Sequence, residues 1–505
     1  QPYRLWNYMT NNVTERSTKT HAEADAALRD LERRFAGAPQ PTDVGNRRRK
    51  EHNDAPAVTR DELRAAIRRL NKKSCSDYEG VTPALLKHAA ASDAFVDATA
   101  TYYTRILRGQ CAVPDSWRLS VTTFIPKPGS AHGRPIANTS LLSRTFEHVV
   151  RGRLEPCFST LEADGFLRGR SASRALTRVV PKIRRDIENQ RMGGSHVNGR
   201  QTVRNDLGYL VLFDISDAYT TLSYHDVLQG LQNRGAPQYL IDTVAAWLSD
   251  RAVQVAYFDP GGDYRRTRRV YPTRGMPQGA VLSPLLWAAA AASFQLPALH
   301  AMSGVNRYQV VYADDIAVAI TGAATDVIRD RTKEAIRALV AWADARGLSV
   351  STKTVIIPLH IARRPLVDRR GTDFSGDFVV NRLNGPTLTF TPEPVDQTGK
   401  WLGLDLSHDV TANTHVKKKA AKLRAHATRL TACRKFGIHP VVMSQLCSAF
   451  CDSLVTYAAT WAVVSSATTH HELCVALAAC HRAVNALGVA TPHVVAAAAA
   501  GSYTA

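Results

Sequence analysis

Residues 310–320 read VVYADDIAVAI, so Asp314 and Asp315 stand side by side inside an otherwise apolar run. Adjacent carboxylates repel one another and resist burial. A third carboxylate, Asp214, closes another apolar run in LFDISDAY (212–219). If two strands deliver Asp214 and Asp314 to one place, the result is a hard, all-oxygen site. Mg²⁺ favours such a site, with substrate phosphates completing its shell. Two ions about 4 Å apart can activate a hydroxyl and stabilise a leaving phosphate, and their charge offsets the carboxylate repulsion. The competing reading is a hairpin turn whose aspartates cap their own backbone, and an isolated Asp-Asp pair is more often that.

The elements that must position these groups are legible in the pattern. GYLVLFDI (208–215) predicts a buried strand ending at a carboxylate, and RYQVVYADDIAVAI predicts two short strands with Asp314 at the corner between them. Thr325 to Arg346 predicts an amphipathic helix with Ile328, Ile336, Leu339 and Ala343 on one face and Gly347 as its stop. Thr59-Arg60-Asp61-Glu62 is a capping-box pattern ahead of Leu63, Ala66, Ile67 and Leu70 at helical spacing. VTTFIPKPG (121–129) reads as a strand running into a turn, 193–206 as a polar loop, and 225–250 as helical. VQVAYFDPGGDYRRTRRVY (253–271) reads as a hairpin with a Gly-Gly turn and a basic return strand. Residues 1–50 read as a helical extension ending in a loop, and the chain beyond about 406 as helix.

The 505 residues carry 64 Lys and Arg against 44 Asp and Glu, a net charge of +20. That excess suits a polyanionic partner, nucleic acid first, against the plain alternative of a basic soluble protein. The length suggests about two to four domains or subdomains. No apolar run is long and charge-free enough to span a bilayer, so no membrane partner is expected. No signal peptide opens the chain, and residue 1 is Gln, which suits a fragment of something longer. The eight cysteines form no Cys-x-x-Cys zinc pattern, and Cys447, Cys451, Cys474 and Cys480-His481 read as buried thiols on helices rather than ligands, in a reducing compartment.

Several stretches fall in an order that resembles reverse transcriptases, most closely those of non-LTR (LINE-type) retrotransposons. YADD (312–315) resembles the polymerase motif C, FDISDAY (213–219) motif A, and GMPQGAVLSPLLW (275–287) motif B. GRPIANTSLLSRTFEHVVRGRL (133–154) and GFLRGRSASRAL (165–176) resemble the fingers segments, with IRRLNKKSCSDYEGVTPALLKH (67–88) ahead of them. GLSVSTKT (347–354) resembles motif D and KWLGLDL (400–406) the primer grip, while 455–492 resembles the helical region these elements carry after the thumb. The resemblance is collinear over nearly the whole chain.

It implies an α+β right-hand polymerase: a helical N-terminal extension (1–58), fingers with the start of the palm (59–207), a palm with an antiparallel sheet (208–405), and a thumb with a helical C-terminal region (406–505). It implies an RNA-directed DNA polymerase (reverse transcriptase) that adds deoxynucleotides to a primer 3′-hydroxyl by two-metal phosphoryl transfer, in target-primed reverse transcription. The implied cofactor is Mg²⁺, two ions, with Mn²⁺ as a substitute. The implied partners are an RNA template, a DNA primer or nicked target DNA, deoxynucleoside triphosphates, and further polyprotein domains (an endonuclease, a ribonuclease H) that are not recognisable within this chain. Nuclear action follows from the family's lifestyle. The alternatives are a group II intron-like reverse transcriptase/maturase, and a catalytically decayed copy that only binds nucleic acid.

By the same resemblance Asp214 and Asp314 are metal ligands, Asp315 the supporting third acid, and the Ile215 carbonyl part of the metal shell. Tyr219 takes the position that blocks a 2′-hydroxyl. Gln278 and Gly279 form a wall of the nucleotide pocket, and Lys127 and Arg134 meet the triphosphate. Lys353 is the proton donor to pyrophosphate. Tyr312 lies by the primer terminus, and Trp401, Leu402 and Gly403 form the primer grip. Lys418, Lys422 and Arg429 line a thumb helix that tracks the duplex backbone. Each has a plain alternative: a solvated turn for Lys127, surface for Arg134, core aromatics for Tyr219 and Trp401, and a solvated face for the thumb lysines. Arg144 stands where the family commonly has Lys, and CSDYEG (75–80) departs from the family's loop.

Overall fold

A computed structural model of the chain describes residues 19–36, 50–72, 74–125, 133–159, 163–197, 200–296, 304–351, 353–361, 375–383, 385–394, 397–459, 466–485 and 487. The first half is mostly helical: α1 (His21–Phe35), α2 (Arg60–Arg68), α3 (Pro83–Ala89) and α4 (Asp93–Leu107) lead into β1 (Leu119–Ile125) and β2 (Arg134–Asn138), then α5 (Leu141–Leu154) and α6 (Ala172–Glu188). The central sheet begins with β3 (Leu207–Ser216). The helices α7 (Tyr224–Asn233) and α8 (Gln238–Leu248), the hairpin β4 (Ala252–Phe258) and β5 (Tyr264–Arg266), and α9 (Ser283–Ala291) separate it from β6 (Val305–Tyr312) and β7 (Asp315–Gly322). α10 (Thr325–Asp344), β8 (Ser349–Val350) and β9 (Val355–Leu359) complete that layer. A short hairpin, β10 (Gly399–Trp401) and β11 (Leu404–Leu406), leads to α11 (Asn413–Lys435), α12 (Pro440–Cys447), α13 (Ser453–Ala459) and α14 (Ala467–Asn485).

The central sheet is antiparallel throughout. β3 lies between β7 on one side and β8 and β9 on the other, and β6 is the outer neighbour of β7. Its strands are nearly continuous apolar runs because both faces are covered. Alternation sends Tyr209, Val211 and Phe213 into the large core shared with the fingers helices, and Leu210 and Leu212 into a second core against α6, β9 and the β10–β11 hairpin. This is the α+β right-hand polymerase architecture that the sequence leads one to expect.

The second sheet runs β2–β1–β4–β5, with β1 and β4 parallel and the other pairs antiparallel. α1 packs on it through Leu28 and Leu31 against Val253, Val255 and Val270. Asp77, in the loop that departs from the family's form, is buried and organises its surroundings. Its carboxylate accepts the Glu79 and Val81 amides at 3.0 and 2.9 Å and the Leu141 amide at 2.8 Å, capping the start of α5.

Several local expectations are corrected. Residues 225–250 are two helices, broken around Gly235 (φ +69°) and Pro237. The stretch 193–206 falls largely in a hairpin of strands Gln190–Val197 and Arg200–Asn205 rather than a loop, and the Asn198-Gly199 pair between them is the sequence signal for it. The capping box at Thr59 is half formed. The Glu62 amide donates to Thr59 Oγ1 at 3.1 Å, but the Glu62 carboxylate is taken by Arg153, at 2.8 and 2.9 Å. The bidentate guanidinium competes better than one exposed amide.

One buried side chain couples the two halves. Glu147 on α5 accepts the Val281 and Leu282 amides at 2.7 and 3.2 Å and the Ser143 hydroxyl at 3.0 Å. It caps α9, whose first residues have no cap of their own. Burial pushes its carboxyl up, while the buried guanidinium of Arg251 and the two amides pull the other way. Glu147→Ala leaves the amides without their acceptor, so the free energy of unfolding should drop by about 2–4 kcal/mol. Glu147→Gln, which keeps an acceptor, should lose less. Urea unfolding of the three chains checks this, and equal losses in both variants contradict the capping role.

Candidate active site

The carboxylates meet because of strand register. β3 and β7 pair so that Asp214 faces Asp315, and β6 and β7 pair so that Tyr312 faces the same Asp315. Cross-strand partners project on one side of a sheet, so Asp214, Asp315 and Tyr312 share the face of the second core. Asp314 sits in the two-residue turn between β6 and β7, after Ala313 at φ +58°. The Asp315 carboxyl is pushed up to about 6, first by desolvation and then by the charges of Asp314 and Asp214, although part of the side chain stays exposed. Three acidic groups therefore interact at one point, as the sequence leads one to expect.

The turn is held from outside the sheet. Trp287 Nε1, at the far end of the motif B stretch, donates to Ala313 O at 2.6 Å. Residues 163–165 run along the edge strand β6, with the Asp164 amide donating to Val311 O at 2.9 Å. Asp164 is itself buried and bound by Arg178 at 2.8 Å. Gly165 lies so close that a Cβ there would come 2.2 Å from Ala313 N and 2.9 Å from Tyr312 C. Phe166, at φ +63°, then presents its ring edge to Tyr219. Gly165, Trp287 and Glu147 all lie within the quoted motif stretches, but no role attaches to them from sequence, because each acts by touching backbone far away in the chain.

Motifs A and B are tied by main-chain bonds. The Gly275 amide donates to Leu222 O at 2.8 Å and the Met276 amide to Tyr219 O at 2.6 Å. The Tyr219 ring is wedged between Phe166 and Trp287, at 6.3 and 6.1 Å between centroids. Burial, then the Asp314 charge, pushes its phenol upward, so it stays protonated. Ala137 of β2 donates to Gln278 O at 2.7 Å, and Gly279 (φ +128°) has room for no Cβ, because one would lie 2.6 Å from Ala137 O. Arg134 is exposed on the same strand β2. Lys127 falls outside the described residues.

On the far side of β3, the Ser351 amide donates to Asp214 O at 2.7 Å and Ile215 pairs with Val350. Lys353 is exposed just beyond, its amide donating to Ser351 Oγ at 3.1 Å. Trp401 is a correction. It is only 2% exposed, packed in the second core, so its ring is not available to a nucleic acid. The turn after it is what reaches outward: Leu402 (φ +46°) and Gly403 (φ +83°) lie against Tyr457, whose Oη donates to Leu402 O at 2.5 Å, and Tyr312 packs on the same core. Lys418 and Lys422 are exposed on α11, but Lys418 is engaged by Asp405 at 2.7 Å, and Arg429 is half-buried beside His426. The stripe is therefore less free than its spacing suggests.

Residues 125–406 match the family described as reverse transcriptase (RNA-dependent DNA polymerase). The probable RNA-directed DNA polymerase from transposon BS of Drosophila melanogaster is 25% identical over 372 residues, covering 71% of this chain and 36% of that protein. The retrovirus-related Pol polyprotein from type-1 retrotransposable element R2 of Popillia japonica is 25% identical over 234 residues, covering 46% of this chain and 29% of that one. The chain thus spans about a third of the length of these relatives. Among solved structures, apo telomerase from Candida tropicalis, truncated from the C-terminal domain, aligns at a TM-score of 0.35 with 14% identity, over 50% of this chain and 52% of that one.

The contact of Gly165 with the acidic turn is open to direct test. Gly165→Ala forces a Cβ onto backbone that cannot swing away, and should destabilise the chain by about 1–3 kcal/mol. Gly152→Ala, on an open stretch of α5, should be neutral or stabilising by about 0.5–1 kcal/mol. Thermal unfolding of both variants makes the comparison, and similar behaviour of the two removes the close contact from the account.

Proposed function

Because the chain belongs to the reverse transcriptase family, we propose that it is the RNA-directed DNA polymerase segment of a non-LTR retrotransposon polyprotein, extending a primer 3′-hydroxyl with deoxynucleotides on an RNA template. The observation that carries this reading is the cross-strand pairing of Asp214 with Asp315 beside the Asp314 turn. A chain kept only for binding nucleic acid has no need to hold three carboxylates against their own repulsion.

The family uses divalent metal ions, and the donors here fit them: all are oxygens, and a cation relieves both the burial and the neighbouring charges that raise the Asp315 carboxyl. Asp214 and Asp314, with the Ile215 carbonyl, would hold two Mg²⁺ ions, and Asp315 would support them. Mn²⁺ is the natural substitute. When bound, such ions supply Lewis-acid activation of the primer hydroxyl and neutralise charge at the departing pyrophosphate.

The remaining roles belong to the chain. Tyr219, braced between Phe166 and Trp287, is a wall rather than a hydrogen-bonding partner, so it discriminates against a 2′-hydroxyl by exclusion. Arg134 offers its guanidinium to the triphosphate, as Lys127 would its ammonium. Gln278 and Gly279 allow the nucleotide to approach backbone that is fastened to β2. Tyr312 and the Leu402–Gly403 turn form one surface beside Asp315, suited to seat a primer end. Lys353, exposed at the edge of β3, is the candidate proton donor to pyrophosphate. Lys422, and Lys418 once Asp405 releases it, would meet phosphates of the duplex. A nicked target DNA as primer, and partner domains elsewhere in the polyprotein, accord with the transposon and retrotransposable-element relatives.

Primer extension on an RNA template with Mg²⁺ tests the proposal. Deoxynucleotide incorporation should fall by about three orders of magnitude in Asp314→Asn. Tyr219→Ala should narrow the preference for deoxynucleotides over ribonucleotides by about tenfold or more while extension continues. Salt-sensitive duplex binding without extension in the unaltered chain marks instead a decayed polymerase or a segment that needs the other domains of its polyprotein.

A further inference from the structure

The helices after residue 406 gather metal-ligating side chains that the polymerase chemistry leaves unused. α12 ends at Cys447, and a π-helical turn, Ser448–Asp452, follows it and carries Cys451 and Asp452. α14 returns alongside and brings Cys480 and His481. Cys447 Sγ, an Asp452 carboxylate oxygen and a His481 ring nitrogen all lie within 4.8 Å of one another. His481 Nε2 is 2.9 Å from Asp452 Oδ1. Cys451 is buried in the same small core, and Cys480 Sγ donates to Leu423 O at 3.2 Å.

The surroundings make this more than a chance meeting. Cys447, Cys451, Cys480 and His481 are fully buried among Leu423, Met443, Leu446 and Ala476, and Asp452 closes the group at its rim. Thiols alone would read as small core hydrophobes. A core built for packing alone gains nothing from an imidazole and a carboxylate, which are costly to bury. The π turn is the second sign. It adds a residue to the turn between Cys447 and Asp452, which lets both ends of the segment face α14, and such turns recur at functional sites.

We propose that this cluster is a site for a divalent transition metal of zinc's chemistry, held by Cys447, Asp452 and His481. Sulfur, nitrogen and oxygen are all donors that Zn²⁺ takes in proteins. Bond lengths of about 2.0–2.3 Å place neighbouring donors about 3.5 Å apart, so the His481–Asp452 pair at 2.9 Å would open slightly to admit the ion while the other donors stay within 4.8 Å. The bound ion fastens α12 to α14, the two helices against which α11 and its exposed lysines pack. The site sets the stiffness of the thumb region and takes no part in the palm chemistry, so it stands apart from the polymerase reading.

The test uses the full chain, purified without added metal and then dialysed, with metal measured by mass spectrometry and Co²⁺ used as a spectroscopic stand-in. One Zn²⁺ per chain is expected. Co²⁺ should give a thiolate-to-metal charge-transfer band, which ions on the palm carboxylates cannot produce. Cys447→Ser and His481→Asn should each weaken binding at least tenfold, while Cys474→Ser, on α14 outside the cluster, should not. Removing the metal from the unaltered chain with a chelator should lower Tm by on the order of 5 °C, reversed by Zn²⁺, which keeps the idea testable if a variant fails to fold. A chain that retains no zinc and gives no thiolate band with Co²⁺ overturns the proposal. So does zinc binding that Cys447→Ser leaves intact, or a Cys447–Cys451 disulfide in place of the metal.

Discussion

Repulsion among Asp214, Asp314 and Asp315 is the constraint around which this molecule is arranged. Left to themselves, three carboxylates at one point would separate or take up protons, and the Asp315 carboxyl is raised first by burial and then by the charges of Asp314 and Asp214. What prevents separation is the ladder. Eight consecutive register pairs between β3 and β7 end at Asp214 and Asp315, and slipping by one residue would turn every core side chain of the strand toward the wrong face. The two apolar cores on either side of β3 therefore hold the acidic group in place, although neither contains a charged residue of it.

The turn that carries Asp314 needs separate support, because a two-residue connection at a sheet end is otherwise free to move. Trp287 grips it from α9, and the 163–165 segment packs it from the edge of β6. α9 in turn begins under the carboxylate of Glu147, from α5. A chain of contacts thus runs from α5, through the 275–287 stretch, to the acidic turn, each link a side chain that grips distant backbone. The N-terminal helix α1 joins the same assembly: Arg34 binds Asp217 of motif A at 2.9 Å, and Phe35 packs at Gly275 of motif B. The extension is in this sense part of the support of the site.

The helices after residue 406 follow a different logic. Their core is small and rich in thiols, and among the described residues they meet the central sheet's second core through the β10–β11 hairpin and Tyr457. Lys418 is held by Asp405, which also meets the buried His415, so the basic face of α11 is anchored to the hairpin at its base. The lysine farther along, Lys422, stands more freely in solvent. Where stiffness cannot come from a large apolar interface, a crosslink among Cys447, Asp452 and His481 is an economical source of it.

Much of this was legible in residue types and spacing. Period-two and near-continuous apolar runs marked β3, β6 and β7 and put carboxylates at their ends, and helical spacing marked α10 down to its stop at Gly347, because these patterns are set by local geometry and by which faces are buried. The order of the motifs was enough to indicate the family. Tertiary structure alone decided the rest. It buried Trp401 and left Leu402 and Gly403 to face outward, since burial depends on what packs above a residue. It drew Glu62 away from its own helix end to Arg153, since a partner remote in sequence outcompeted a local one. It gave roles to Gly165, Glu147 and Tyr457, whose partners are backbone atoms that no spacing rule can identify. And it brought Cys447 and Asp452 to His481, the last two 29 positions apart in sequence, because helices that return on one another create neighbours that the linear chain keeps apart.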